Sequence, residues 1–303
     1  MRLVALCAES ELTVTELTGI LGQSQPRVSR HLKVLWEAGV LERVREGSWV
    51  FFRASPDGPG GEIGRFLIDR LPAGDPTLSL DVRRLAEVRR GRAAAAAAYF
   101  RANADHRDDI EKFSVPEVEV EDALLALFSG DVVRDLLDVG TGTGRVLEIF
   151  ANRVERAVGI DVSRDMLAVA RANLERAGLR NCRVRHGDMC RLPLPSESID
   201  AVVFHQVLHF ADRPAAALAE AARVLRAGGR LAIADFAPHD FAFLRERHAH
   251  RRLGFADDEV AAWCLAAGLD PSPPLHLAGN PLTVTVWSAV RTVGAAGGAG
   301  AGP

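Results

Sequence analysis

The run Leu136-Leu137-Asp138-Val139-Gly140-Thr141-Gly142-Thr143-Gly144-Arg145 constrains this chain more than any other stretch. Its apolar start reads as a buried strand, and glycines at alternate positions let the backbone turn sharply and approach a ligand that side chains would exclude. A helix follows, and a helix N-terminus after such a loop favours a negative group. The dinucleotide fingerprint G-x-G-x-x-G does not fit, because its third glycine falls on Arg145 and because Asp138 stands two residues before the first glycine.

Around this loop the sequence alternates short β-branched strands with amphipathic helices, the pattern of a mostly parallel sheet covered on both faces. Strands are predicted at 134–139, 156–161, 182–187, 199–205 and 230–236, with helices near 144–152, 163–177 and 213–226. Leu282 to Val290 alternates at period two and reads as a late antiparallel strand on the same sheet. The predicted fold class here is α/β, doubly wound. A chain of 303 residues that is 48% hydrophobic can bury its cores without staples. Cys7, Cys182, Cys190 and Cys264 form no C-x-x-C pair and read as reduced thiols. No apolar run approaches the roughly 18 residues of a membrane span, so a soluble, cytoplasmic protein is expected.

Two carboxylates follow the glycine loop in strand order. Val158-Gly159-Ile160-Asp161 ends the second strand with a group that can accept from both hydroxyls of a ribose. Arg185-His186-Gly187-Asp188-Met189 ends the third, where Asp188 can accept from an adenine amino group and Met189 can pack on the ring. With Val224-Leu225-Arg226-Ala227-Gly228-Gly229-Arg230-Leu231 and the late strand, residues 134–290 resemble a class I S-adenosylmethionine-dependent methyltransferase. The resemblance implies S-adenosylmethionine as cofactor. It places Asp138 and Gly140 at the cofactor's amino acid end, Asp161 at its ribose, Asp188 and Met189 at adenine, and His205-Gln206 along the site, with Thr141, Gly142, Gly144, Val162 and Met166 also binding the cofactor. Tyr99-Phe100 matches a lid aromatic of such enzymes.

The N-terminal part has a different grammar. A short helix, Val14 to Leu21, stops at Gly22, and a second opens near Ser24-Gln25-Pro26 and closes at Gly39. Ser24 suits an N-cap, Pro26 the first turn and Gly39 the left-handed position after the helix. Val28, Leu32 and Leu35 share one face, which leaves Arg27, Arg30, His31 and Lys33 toward the other sides. Leu41 to Val44 and Trp49 to Arg53 then read as a hairpin turning at Arg45-Glu46-Gly47-Ser48. Apolar residues to dock a helix, cations for phosphates and amides for base edges are what reading a major groove requires.

Residues 24–41 and 45–53 resemble the winged helix-turn-helix of ArsR/SmtB-type bacterial repressors. The resemblance implies a double-stranded DNA operator as partner, met by Gln23, Ser24, Gln25, Arg27, Ser29, Arg30, His31, Lys33 and the wing residue Arg45. Metal-sensing members carry Cys-x-Cys where this chain has Thr13-Val14-Thr15, and hydroxyls do not replace thiolates as soft-metal ligands, so no metal site is expected. Met1-Arg2-Leu3-Val4 falls within what looks like the second helix of that family, so a homodimer would rest on the amphipathic helix near 62–71.

Four segments are therefore expected: a winged helix at 1–55, a helical connector and lid at 56–115, a methyltransferase domain at 116–293, and a disordered Gly/Ala tail at 294–303. Ser55 to Gly61 reads as a linker, and the arginines between Arg83 and Arg92 read as a solvated helix face. The net charge of −3 sums unlike parts: residues 1–55 carry seven basic against six acidic side chains, whereas 116–303 carry twenty against twenty-four.

Since a sulfonium is already activated, the protein has mainly to align an acceptor lone pair with the methyl carbon, and a base helps only where the acceptor loses a proton. The candidate bases are His205 and His209 after the fourth strand, Asp235 and His239 after the fifth, and His248 and His250 beyond. Three functions stay open: methyl transfer to a small-molecule acceptor by a transcriptional regulator, a repressor that uses the methyltransferase fold only to sense S-adenosylmethionine or S-adenosylhomocysteine, and an enzyme with a vestigial DNA-binding unit.

Overall fold

A computed structural model describes residues 1–46, 49–72, 74–102, 115–130, 132–248 and 250–292. The chain forms two compact units, Met1–Ala95 and Ala96–Pro303. The first contains α1 (Arg2–Glu9), β1 (Leu12–Thr13), α2 (Val14–Leu21), α3 (Gln25–Glu37), the hairpin β2 (Leu41–Glu46) and β3 (Trp49–Ala54), and α4 (Gly58–Ile68). A long helix, α5 (Pro76–Ala102), starts in this unit and continues past its end.

Burial of Leu12, Leu17, Ile20, Val28, Leu32 and Leu41 builds the core of the first unit. Thr13 starts α2 with a reciprocal cap: its hydroxyl accepts from the Glu16 N–H, and the Glu16 carboxylate accepts from the Thr13 N–H at 2.8 Å. Such a box stabilises a helix start by about 1 kcal/mol. Gly22 and Gly39 take left-handed φ angles of 64° and 68° at the ends of α2 and α3. Ser24 occupies the cap position of α3, but its side chain makes no capping bond. The first wing strand runs on to Glu46, so Arg45 lies in a strand rather than in the turn.

Three sequence expectations change in this region. Gly58 to Gly61 is the first turn of α4, not linker. A Cβ on Gly60 would stand 2.3 Å from the Gly39 carbonyl, so these glycines serve close packing rather than flexibility. The boundary at Ala95 cuts through the segment set apart as a connector, leaving α4 and most of α5 with the first unit. Finally, the arginines of α5 are not all solvated. Arg84 donates to the Ile20 carbonyl at 2.8 Å, Arg89 to the Glu9 carbonyl at 2.5 Å, and Arg92 to the Glu16 carboxylate and the Glu11 carbonyl at 2.9 Å. From the other side Arg2 grips buried Asp81 with two bonds of 2.6 Å. Arg83 and Arg90 remain exposed.

The second unit holds α6 (Glu117–Leu127), β4 (Asp135–Val139), α7 (Arg145–Phe150), β5 (Arg156–Asp161), α8 (Arg164–Arg176), β6 (Cys182–His186), β7 (Ile199–His205), α9 (Pro214–Val224), β8 (Leu225–Phe236), α10 (Phe243–His248), α11 (Asp257–Ala266), β9 (Leu269–Pro271), β10 (Leu275–Leu277) and β11 (Val284–Arg291). They assemble a sheet of order β10-β11-β8-β7-β4-β5-β6, with β9 also pairing β11. Strands β4 to β8 are parallel, and β11 runs antiparallel to β8. Apolar layers cover both faces, one around Leu136, Leu147 and Val203, the other around Leu137, Val202 and Phe204. Strand order reverses between β4 and β7, and the crevice beyond the carboxyl ends of such a pair is where open α/β sheets bind ligands.

The predicted strand 230–236 starts earlier, at Leu225, and shortens the helix before it to Val224. Leu225 pairs with Ile199 and Arg230 with Ala201, so Arg226 to Gly229 bulge out, helped by a φ of 77° at Gly228. The expected tail at 294–303 lies outside the described residues.

Candidate functional site

The glycine loop leaves β4 at the strand-order reversal. Gly140, Gly142 and Gly144 all have positive φ, and the N–H groups of Gly140 and Thr141 donate to the Ile160 carbonyl at 2.7 and 3.0 Å. Each glycine answers a different demand. A Cβ on Gly140 would strike the Val207 side chain at 2.1 Å, and one on Gly144 would press on Ala170 at 3.3 Å, whereas one on Gly142 would meet nothing nearer than 4.0 Å. Gly142 therefore borders open space. Gly159 on β5 makes room for Thr141, whose hydroxyl a Cβ there would approach to 2.4 Å.

Asp161 ends β5 beside this loop. One carboxylate oxygen accepts from the Gly142 N–H at 2.9 Å and the other from the Ser163 N–H at 2.7 Å. Each oxygen keeps a further lone pair for a ligand. Asp138 is 1% exposed, and neither of its oxygens, nor the Thr141 hydroxyl, has a hydrogen-bond partner in the protein. Burial drives the Asp138 carboxyl up to about 7; the Thr141 hydroxyl, close by but outside hydrogen-bond geometry, opposes the rise, and the Asp161 charge adds to it. An unsatisfied buried carboxylate of this kind costs stability unless a cation or donor meets it.

Along the rest of the rim, Val162 is exposed and Met166 half-buried, its N–H capped by the Ser163 hydroxyl. Asp188 is exposed after β6 and accepts from the Cys190 N–H at 2.8 Å, and Met189 packs on the apolar layer. His205 ends β7 opposite Ala234, with its Nε2 buried and unpartnered, and burial holds its imidazole below the ordinary histidine value. Glu121 of α6 grips Arg145 through two bonds of 2.5 and 2.7 Å.

Beyond β7 and β8 the structure assembles what the sequence had only scattered. His209 and Asp235, 26 residues apart and both buried, meet at 2.7 Å between Nδ1 and Oδ1. The Asp235 carboxylate also accepts from the backbone N–H groups of His209 and Phe236. His250 stacks on His209 with centroids 3.9 Å apart. His239 lies in the loop after β8, 5.9 Å from the Phe236 ring. His248 ends α10, and Tyr99 lies on α5; their side chains are outside what is described. No single stretch of sequence signals the His209–Asp235 pair, because it depends on two strands lying side by side. Among the described residues, no group of three or more His, Cys, Asp or Glu is placed to hold a metal ion.

In the first unit, α3 buries Val28 and Leu32 and exposes Ser24, Gln25, Arg27, Ser29, Arg30, His31 and Lys33, with Gln23 half-buried before it. Lys33 reaches Glu37 at 3.7 Å on the surface, a pair worth little. Arg45 is exposed on β2, and Arg43 lies over the Trp36 ring at 5.2 Å. None of the described helices is long and apolar enough to cross a membrane.

Known proteins match the two units separately. Residues 2–43 match the family described as bacterial regulatory protein, arsR family, and residues 137–233 match the methyltransferase domain family. The arsenic resistance transcriptional regulator ArsR1 of Pseudomonas putida is 44% identical over 83 residues, 27% of this chain and 64% of that protein. The uncharacterized methyltransferase YcgJ of Bacillus subtilis is 32% identical over 106 residues, 35% of this chain and 42% of YcgJ. Its crystal structure superposes with a TM-score of 0.51 at 19% identity, over 57% of this chain and 98% of that one. The [4+2]-cyclase SpnF superposes with a TM-score of 0.52 at 20% identity, over 58% of this chain and 81% of that one. The chain spans less than two thirds of the length of either sequence relative, and the structural likenesses establish the fold. This chain therefore joins a regulatory domain of the arsR family to a methyltransferase domain in one polypeptide.

Proposed function

We propose that the protein is a DNA-binding transcriptional regulator that binds S-adenosylmethionine and transfers its methyl group to a small-molecule acceptor. The observation that carries this reading is the pairing of Asp161, tied to the Gly142 N–H at 2.9 Å, with the unsatisfied buried carboxylate of Asp138. A nucleoside joined to an amino acid fits both. Asp161 would accept from ribose hydroxyls with the lone pairs it has left, beside Val162 and Met166. Asp138 would meet the cationic ammonium, and Gly140, Thr141, Gly142 and Gly144 would let the backbone close on the ligand. Asp188 and Met189 would take the adenine, and His205 would line the methyl end. Once bound, the cofactor supplies an activated methyl group, and the protein's share is alignment of the acceptor and exclusion of water.

For the regulatory half, the exposed cations of α3 would contact phosphates, while Gln23, Gln25 and Arg27 would read base edges. Ile63 and Phe66 stand exposed on α4 and support a homodimer through that helix. A second reading is favoured by α5, which three arginines clamp to the helix-turn-helix and which runs on past Ala95. In that reading the cofactor or its demethylated product is only sensed, through different affinities for two states of the protein. The cyclase on the same fold is a reminder that this architecture does not by itself dictate methyl transfer.

Calorimetry with S-adenosylmethionine and S-adenosylhomocysteine tests the site. Binding by the wild-type chain and its loss in Asp161→Ala are expected, and equal heats in both proteins would refute the reading. A gel shift on promoter DNA with each ligand added separates enzyme from sensor: a sensor changes its DNA affinity and turns over no acceptor.

A further inference from the structure

Asp138 can meet the ammonium at the amino acid end of the cofactor, but the carboxylate bonded to the same carbon needs a donor of its own. The sheet register shows which elements surround that end. Side chains alternate along a strand, so Asp138 shares a face with Leu136, and His205 shares one with Val203. Leu136 and Val203 lie in the same apolar layer, and Asp138 pairs in register with Val203. Both polar residues therefore stand on one face, at the carboxyl ends of neighbouring strands. The helices that cover this face are α6, through Val120 and Leu124, and α7, through Val146 and Leu147. They carry Glu121 and Arg145.

Arg145 follows Gly144 of the glycine loop directly, and its hold on Glu121 is side-on. Nε and Nη2 donate to the two carboxylate oxygens at 2.5 and 2.7 Å. Glu121 is buried and its helix is anchored in the core, so the plane of the guanidinium is fixed. The remaining nitrogen, Nη1, makes no hydrogen bond among the described residues; its ion-pair partner Glu148 lies 3.5 Å away, and the side chain is exposed. One edge of the fork is used for orientation and the other is presented. The clamp lies within electrostatic reach of the site wall. Burial holds the His205 imidazole below its ordinary value, with Glu121 and Asp235 pulling it up and Arg145 pulling it down.

From this arrangement we propose that Arg145, oriented by Glu121, binds the α-carboxylate of the cofactor through Nη1. The inference rests on the S-adenosylmethionine reading of the site and adds a residue to it. Glu121 is a positioning residue, since it touches Arg145 and not the ligand. Neither oxygen of Asp138 has a partner in the protein, so Arg145 is not spent on Asp138, and a zwitterion can meet an anion at one pole and a cation at the other. Glu148 and Glu117 also act on the guanidinium. A simple anion therefore gains little there, whereas a carboxylate joined to an ammonium is paired at both ends.

Calorimetry on the full chain with two ligands tests the proposal: S-adenosylmethionine, and its decarboxylated analogue, which keeps the sulfonium and the ammonium. The wild type should bind S-adenosylmethionine about tenfold more tightly, the scale of one charge-assisted hydrogen bond. Arg145→Gln should lower affinity for S-adenosylmethionine to that for the analogue and leave the analogue's own affinity unchanged, and Arg145→Lys should recover part of the loss. Glu121→Gln should narrow the preference in the same way. Because Arg145→Gln strands a buried carboxylate, the double variant Glu121→Gln with Arg145→Gln is measured beside it and should show the same loss, with thermal melting as the check on folding. Equal affinity of the wild type for the two ligands would overturn the proposal. So would a loss shared equally by both ligands in the variants, which would make Arg145 purely structural. A wild type that binds neither ligand would instead refute the cofactor reading beneath it.

Discussion

The two units of this chain handle charge in opposite ways. In the helix-turn-helix, Arg27, Arg30, His31 and Lys33 stand on the solvent side of α3, while Val28 and Leu32 hold the helix down. In the sheet unit the groups of interest are withdrawn from water: Asp138 is 1% exposed, Asp235 not at all, and His209 2%. A surface charge costs little to keep and waits for a polyanion to displace its counterions. A buried charge is costly unless a partner meets it; Asp235 has an internal partner, and the oxygens of Asp138 have none in the protein. The contrast teaches where to look for function: in the pattern of one helix face for the first unit, and in the hydrogen-bond accounts of single buried atoms for the second.

The largest expected effect lies in the buried class. Asp161→Ala removes the carboxylate that fixes both Gly142 and Ser163, so cofactor affinity should fall at least about a hundredfold, at roughly 1.5–3 kcal/mol for each charged hydrogen bond lost. Calorimetry measures it. Affinity for promoter DNA in the absence of cofactor should not change, since the helix-turn-helix is a separate compact unit.

In the exposed class the effect is smaller and has a different signature. Arg27→Ala and Arg30→Ala should each weaken promoter binding about tenfold, and a change at a phosphate contact should lower the slope of log affinity against log salt by about 1. Cofactor affinity should stay at the wild-type value. A cofactor effect from either arginine would break the comparison between the two units.

Next comes pH. Because the Asp138 carboxyl is raised to about 7 from 3.8, the folded, cofactor-free protein holds a proton that the unfolded chain releases. Its stability therefore falls as pH rises from the unfolded value toward the folded one. A cation docked on Asp138 expels that proton. Cofactor affinity should then climb about tenfold per pH unit through the same window and level off above about 7. Titrations in two buffers of different ionisation heat count the released proton. Asp138→Asn should abolish both the release and the pH dependence, and persistence of either would show that another group titrates.

How much of this was legible beforehand follows the same divide. The helix α3, its glycine stop and the wing could be read from residues 24–53, because amphipathic spacing and punctuation are local signals. The β/α alternation and the Gly140 to Gly144 loop were equally local. Gly58 to Gly61 misled, since a glycine-rich stretch looks the same whether it bends freely or packs against Gly39. The His209–Asp235 pair was out of reach because it depends on register between strands and on burial. The arginines of α5 were read as solvated because three of their partners, the carbonyls of Glu9, Glu11 and Ile20, are backbone atoms with no residue-specific signature.

Those arginines give the smallest and most discriminating prediction. Arg92 is a cation on a helix of the first unit, as Arg27 is, yet it points inward, bonded to both oxygens of Glu16 at 3.0 and 2.9 Å and to the Glu11 carbonyl. Arg92→Ala should lower the stability of the first unit by about 1 kcal/mol, the scale of a half-buried charged pair, and the salt slope of DNA binding should not change. Glu16→Ala should cost more, because Glu16 also closes the cap on Thr13, accepting its N–H at 2.8 Å. In a double-mutant cycle the two changes should couple by about 0.5–1.5 kcal/mol. Thermal melting of the four proteins gives the coupling, and promoter binding at three salt concentrations gives the slope. A slope that falls in Arg92→Ala as it does in Arg27→Ala would move Arg92 to the DNA surface and erase the distinction between cations that build this domain and cations that it presents.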